Sequence, residues 1–95
     1  MSYYSYKVPG GKLIKIDVRI KDATIEAITI LGDFFLHPEE VLDELEEGLR
    51  GVQLSESHIT KSIQDVLDRN ECTLIGAAAS DFAQAIIEAS QWTPE

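Results

Sequence analysis

From Ile14 to Ile20 the chain alternates apolar and polar residues without a fault, with Ile14, Ile16, Val18 and Ile20 on one side and Lys15, Asp17 and Arg19 on the other. A period of two over this length predicts a strand with one face buried and one wet. KDA at 21–23 then makes a short turn, and TIEAITIL at 24–31 reads as the antiparallel partner, so the two segments form a hairpin. The turn lacks the Asn-Gly or Asp-Gly pair usual in so short a connection. SYYSYKV, upstream, supplies an edge strand or covers the core with Tyr3, Tyr4 and Tyr6.

A two-stranded sheet cannot bury its apolar side alone, and the period changes after it to supply a cover. In GDFFLHPEEVLDELEEGLRG, Pro38 suits the first position of a helix, Glu39 and Glu40 suit the positive end of its dipole, and Gly51 suits the position after its end. Val41, Leu42, Leu45 and Leu49 make one apolar stripe. A second helix starts after Ser55 as N-cap and buries Ile59, Ile63, Val66 and Leu67. CTLIG at 72–76 is a short strand or a buried link, and a third helix runs from Ser80 to about Gln91, burying Phe82, Ala85, Ile86 and Ala89, with Trp92 closing its end. The expected fold is α+β: a small antiparallel sheet with about three helices packed on one face, in one domain spanning 1–95.

Charge is divided along the chain. The net charge is −9, yet residues 1–21 hold Lys7, Lys12, Lys15, Arg19 and Lys21 against Asp17 alone, while the remainder holds three bases and sixteen acids. The total argues against nucleic acid, whose binding draws on many cations, and the basic end can face a phosphate or an acidic partner. No apolar run approaches the roughly 20 residues that cross a bilayer, and the first residues lack a signal-peptide core. With one cysteine, a cytoplasmic protein without membrane attachment is expected.

Catalytic constellations are scarce. His37 and His58 sit at two helix starts without a ligand partner at metal spacing, Cys72 reads as a small apolar residue, and PEEVLDELEEGL lacks the oxygen spacing and glycine turn of a calcium loop. VPGGK has no phosphate-loop pattern. It is a hairpin turn or a place where flexible backbone and two lysines meet a ligand or partner. Phe34 and Phe35 are consecutive, so on a strand they point to opposite faces and only one can enter a one-sided core. The other is left for an interface, aimed by a bend at Gly32 and Asp33.

These two stretches carry a resemblance. YKVPGGKLIKIDVRIKDATIEAITILGDFFLHPEEVLDELEEGLRG, followed by a terminal helix introduced by ASDFAQAI, resembles the C-terminal accessory domain of lipoate-protein ligase and the stand-alone small subunit of bipartite forms of that ligase. The resemblance implies a SufE/NifU-like fold and a chain that is not catalytic alone. It implies docking on a large catalytic subunit, as a heterodimer, to enable formation of lipoyl-AMP from lipoate and ATP before transfer to a lysine of an acceptor protein. ATP, Mg and lipoate then belong to the large subunit, with no cofactor or metal on this chain. The acceptors, partners of this chain only indirectly, are lipoyl domains of oxo-acid dehydrogenase complexes or the H protein of glycine cleavage. Adenylation gains from positive groups and water exclusion near the triphosphate, so Lys7, Gly10, Gly11 and Lys12 are the candidate active-site cap. Pro9, Asp33, Phe34, Phe35 and His37 are the candidate partner interface. Two rivals stand beside this reading: a SufE-like sulfur acceptor using Cys72, and an unrelated binding module using the Phe34–Phe35 pair. An iron-sulfur scaffold needs several cysteines and is excluded by the single one.

Overall fold

A computed structural model describes residues 3–92. The first hairpin joins β1 (Tyr4–Lys7) to β2 (Leu13–Lys21), and the second joins β2 to β3 (Thr24–Gly32), giving an antiparallel sheet of order β1-β2-β3. Tyr4 and Tyr6 thus belong to an edge strand, and Tyr3 precedes it. Asp22 and Ala23 make the second turn with φ of 53° and 62°, the left-handed pair that marks a type I′ connection.

The register slips once, between Arg19 and Ile20, where Arg19 faces Ala27 and Ile20 faces Ile25. Glu26 is the extra residue. Ile25 and Ile28 stand three apart and both reach the core only because this bulge resets the alternation. Beyond it Ile28 and Ile30 point inward with Ile14 and Ile16, and Leu31 is turned out.

Helices α1 (Val41–Leu49) and α3 (Ala79–Gln91) cover the inner side of the sheet, and α2 (Glu56–Arg69) packs against both. Their buried stripes are those of the sequence, Val41, Leu45 and Leu49; Ile59, Ile63, Val66 and Leu67; Phe82, Ala85, Ile86 and Ala89, except that Leu42 is only half-buried. The expected α+β layering holds. Glu44 on α1 accepts from Arg69 and, at 3.1 Å, from Asn70 at the end of α2. Glu46 accepts from the Ile30 N–H at 2.8 Å, so a helix side chain satisfies a donor on the outer edge of β3. The same edge is closed near its start by Gly51, Val52 and Leu54, which bond the backbones of Ile25 and Ala23 at 2.7–3.0 Å.

One helix boundary departs from expectation. Pro38 is not the first residue of α1 and His37 does not stand at its N-cap. Phe35–His37 form a strand, β4, paired antiparallel with β5 (Thr73–Ile75), so the chain is still extended at His37. Pro38, Glu39 and Glu40 make a tight turn whose carbonyls accept from Val41, Leu42 and Asp43, three residues on, before the regular ladder begins. CTLIG accordingly contains a strand. No helix among the described residues is long and apolar enough to cross a membrane.

Candidate functional site

VPGGK folds as a tight β-turn. Gly11 N–H donates to the Val8 carbonyl at 2.8 Å, Pro9 sets the first central position and Gly10 takes the second at φ 70°, the requirement of a type II turn. Val8 is buried and anchors the turn, while Pro9, Gly10 and Lys12 are exposed. The Lys7 ammonium folds back on the Gly11 carbonyl.

The turn is stitched to the link that follows β5. Lys12 N–H donates to the Gly76 carbonyl at 3.1 Å, and a Cβ built on Gly11 would stand 2.6 Å from that oxygen. Gly76 itself has φ 96°, and its own Cβ would meet the Lys12 stem at 2.6 Å and the Phe34 Cα at 3.6 Å. The backbones approach because neither side carries a side chain. Two motifs more than twenty residues apart in the sequence, KVPGGK and GDFFLHP, therefore share one end of the molecule, with Gly76 between them.

Within GDFFLHP the two phenylalanines part as the pleat requires. Phe34 is half-buried and meets the ring of Phe82 edge-on, with centroids 5.0 Å apart. Phe35 points out and is 57% exposed. On the same outer face its ring stacks on His37 at 6.3 Å, and its cross-strand partner Ile75 is 58% exposed. Leu31, turned out by the bulge, shares with Phe35 a shallow groove of about 490 Å³ whose other wall carries Leu42, Glu39, Glu40 and Asp43. Phe35, Ile75 and Leu31 thus form an apolar strip, with the acids of the α1 turn on one margin and Lys12 near the other.

Asp33 is exposed at the bend, with its N–H bonded to the Leu13 carbonyl at 2.9 Å. Of the residues singled out in the sequence, Lys7, Gly10, Gly11, Lys12, Pro9, Asp33, Phe35 and His37 lie on this end of the surface, and Phe34 supports it from beneath. Sequence reasoning missed Ile75, Gly76 and Leu31. The signal for Ile75 lay in the alternation of Leu74 and Ile75, too short to separate strand from link. Leu31 needed the bulge to be known.

Cys72 does not present an activated thiol. It is half-buried, its sulfur contacts the His37 carbonyl at 3.3 Å, and burial pushes its pKa up, opposite to what a persulfide-accepting nucleophile requires. Among the described residues no group of three or more His, Cys, Asp and Glu side chains is placed to hold a metal ion.

The chain is similar to known proteins over most of its length. The family model for the bacterial lipoate protein ligase C-terminus matches residues 3–86. Lipoate-protein ligase A subunit 2 of Thermoplasma acidophilum is 34% identical over 82 residues, covering 86% of this chain and 83% of that protein. Among solved structures, a chain from a structural study of an archaeal lipoylation system, a bi-partite lipoate protein ligase and its E2 lipoyl domain from Thermoplasma acidophilum, superposes with a TM-score of 0.72. It is 28% identical, and the match covers 90% of this chain and 97% of that one.

Proposed function

Because this chain belongs to the family of the bacterial lipoate protein ligase C-terminus, we propose that it is the accessory subunit of a bipartite lipoate-protein ligase. It docks on a separate catalytic subunit as a heterodimer and enables ATP-dependent formation of lipoyl-AMP, after which the lipoyl group passes to a lysine of an acceptor protein. The observation that carries this reading is the likeness to subunit 2 of a two-subunit ligase, which extends over most of both chains. ATP, Mg and lipoate bind the catalytic subunit, and this chain contributes surface rather than a reacting group. Residues 1–95 act as one domain, in the cytoplasm, where a reducing medium suits the lone thiol. Kinship with SufE/NifU-like proteins rests on the antiparallel sheet with helices on one face.

The apolar strip around Phe35 and Ile75 has the anatomy of a lasting protein interface: an aromatic anchor, an apolar centre and a charged margin. Pro9, Asp33, Phe35 and His37, with Phe34 beneath, form that interface. Lys7, Gly10, Gly11 and Lys12 project beside it as the cap. The cap acts by placing positive charge near the triphosphate or by holding a loop of the catalytic subunit in its competent position. A second copy of this chain is a poor occupant, because each copy carries a net charge of −9 and would bring its Glu39–Asp43 acids against another set.

The test is binding to the catalytic subunit by calorimetry. Phe35→Asp and Ile75→Asp each place a charge where a desolvated anchor is required and should weaken binding by at least about 30-fold, the range of an interface hot spot. Both positions are exposed, so the thermal midpoint of the isolated chain should hold. Unchanged affinity in both variants would remove this face from the interface.

A further inference from the structure

The sheet has a second surface, which meets the apolar strip only at Leu31 and the cap only at Lys7. Helices α1 and α3 cover its inner side, and the outer side of β1-β2-β3 is open. Alternation along β2 puts Lys15, Asp17, Arg19 and Lys21 on that open side, and the register adds Lys7 and Ser5 from β1 and Ala27, Thr29 and Leu31 from β3. Four of the chain's eight bases share this face.

Their local balance differs from the helical side. Arg50 pairs with Glu47 at 3.2 Å and Arg69 pairs with Glu44, so two of the four remaining bases, Lys12, Arg50, Lys61 and Arg69, are matched by neighbouring acids. On the sheet face Arg19 has Glu26 at 3.7 Å, Asp17 is half-buried, and Lys15 and Lys21 make no ion pair among the described residues. In a protein of net charge −9, three of the five bases without an ion pair among the described residues, Lys7, Lys15 and Lys21, thus lie on one open sheet face, the other two being Lys12 and Lys61. The exposed large apolar side chain of this face, Leu31, lies at its margin on β3.

A surface with charge and no central apolar anchor makes a poor permanent interface, since hot-spot energy comes from desolvated aromatic and aliphatic groups. It makes a good encounter surface. Complementary charge raises association rates and leaves dissociation fast, which suits a partner that must arrive and leave in every turnover. On the reading above, the catalytic subunit is held and the acceptor protein comes and goes.

We propose that the open face of the β1-β2-β3 sheet, with Lys15 and Lys21 on its central strand, is a salt-sensitive docking surface for an acidic protein, the acceptor of the lipoyl group. It adjoins, at Leu31, the apolar strip that joins this chain to its catalytic subunit. The proposal rests on the assignment as a ligase subunit.

The experiment uses the reconstituted complex of this chain with its catalytic subunit and an E2 lipoyl domain as the acceptor. Acceptor kcat/KM and lipoate-dependent pyrophosphate release are measured in parallel from low to high ionic strength. Lys15→Glu/Lys21→Glu should lower acceptor kcat/KM about tenfold or more at low salt and flatten its salt dependence, with Lys15→Gln/Lys21→Gln in between, while pyrophosphate release keeps its wild-type rate. Unaltered transfer in both variants would overturn the proposal. A parallel fall in pyrophosphate release would also overturn it, by assigning the face to the catalytic subunit. Failure of the ligase reading has a separate signature, a pyrophosphate release that never depends on this chain.

Discussion

Asp22 and Ala23 turn the β2-β3 hairpin with positive φ, and only one of them is suited to it. Asp tolerates the left-handed region through local hydrogen bonding, whereas Ala carries a Cβ that costs roughly 1 kcal/mol there. Ala23 is exposed, so its methyl group contributes no core packing to offset this. Ala23→Gly should therefore stabilise the chain by about 0.5–1 kcal/mol, the relief of strain exceeding the added freedom of the unfolded state. Urea unfolding would show a higher midpoint at constant slope, and a lower midpoint would contradict the turn geometry. The sequence made the hairpin legible but not this residue, because nothing local marks Ala as left-handed. Ile75 and Gly76 were hidden similarly. What defines them is a strand partner 40 residues earlier and a turn 65 residues earlier, and neither leaves a trace in the three residues of β5.

Among elements, β1 is fastened to α3 by the Tyr4 hydroxyl, which donates to Glu88 at 2.6 Å, with Gln84 donating to the other carboxylate oxygen at 2.8 Å. The Tyr4 bond, followed by that from Gln84, holds the Glu88 carboxyl below its ordinary range, and the same contact raises the Tyr4 pKa. A carboxyl depressed in the folded state contributes stability that is present above its unfolded pKa of about 4.5 and is lost as pH falls through the lower folded value. Tyr4→Phe should thus lower stability at neutral pH and flatten its decline on acidification. Both groups are half-buried and remain partly open to solvent screening, so the effect is modest. Urea midpoints of the two proteins between pH 3 and 6 would show converging curves, and parallel curves would contradict the linkage.

Element type followed closely from sequence wherever one segment held its whole signal. In α2 the cap at Ser55 and the stripe Ile59, Ile63, Val66 and Leu67 are all local, and the helix lies where they put it. The start of α1 was misplaced because a valid local rule, Pro at the first helical position, competed with a strand pairing to Thr73–Ile75 that is not local. In β3 the spacing of Ile25 and Ile28 contained the bulge, since strict alternation would have buried Ala27 and Thr29 instead.

At the scale of the whole molecule, layering was legible because a one-sided sheet followed by three amphipathic helices has few ways to bury its apolar faces. The candidate site was legible in its parts and not in its assembly. The glycine turn and the aromatic pair were each conspicuous, and their meeting across Gly76 depends on packing between distant segments. The folded chain has an apolar, aromatic end, an open sheet face that carries four of its eight bases and an acidic helical side. On the proposed function it offers surfaces to larger partners rather than a reacting group. Its contribution to ligation then has to appear in the activity of the catalytic subunit. The decisive measurement is lipoate- and ATP-dependent pyrophosphate release by that subunit with and without this chain. Release that rises from near background to full rate as the chain is titrated to stoichiometry is the result expected, and an equal rate in its absence would contradict the assignment as an adenylation-enabling subunit.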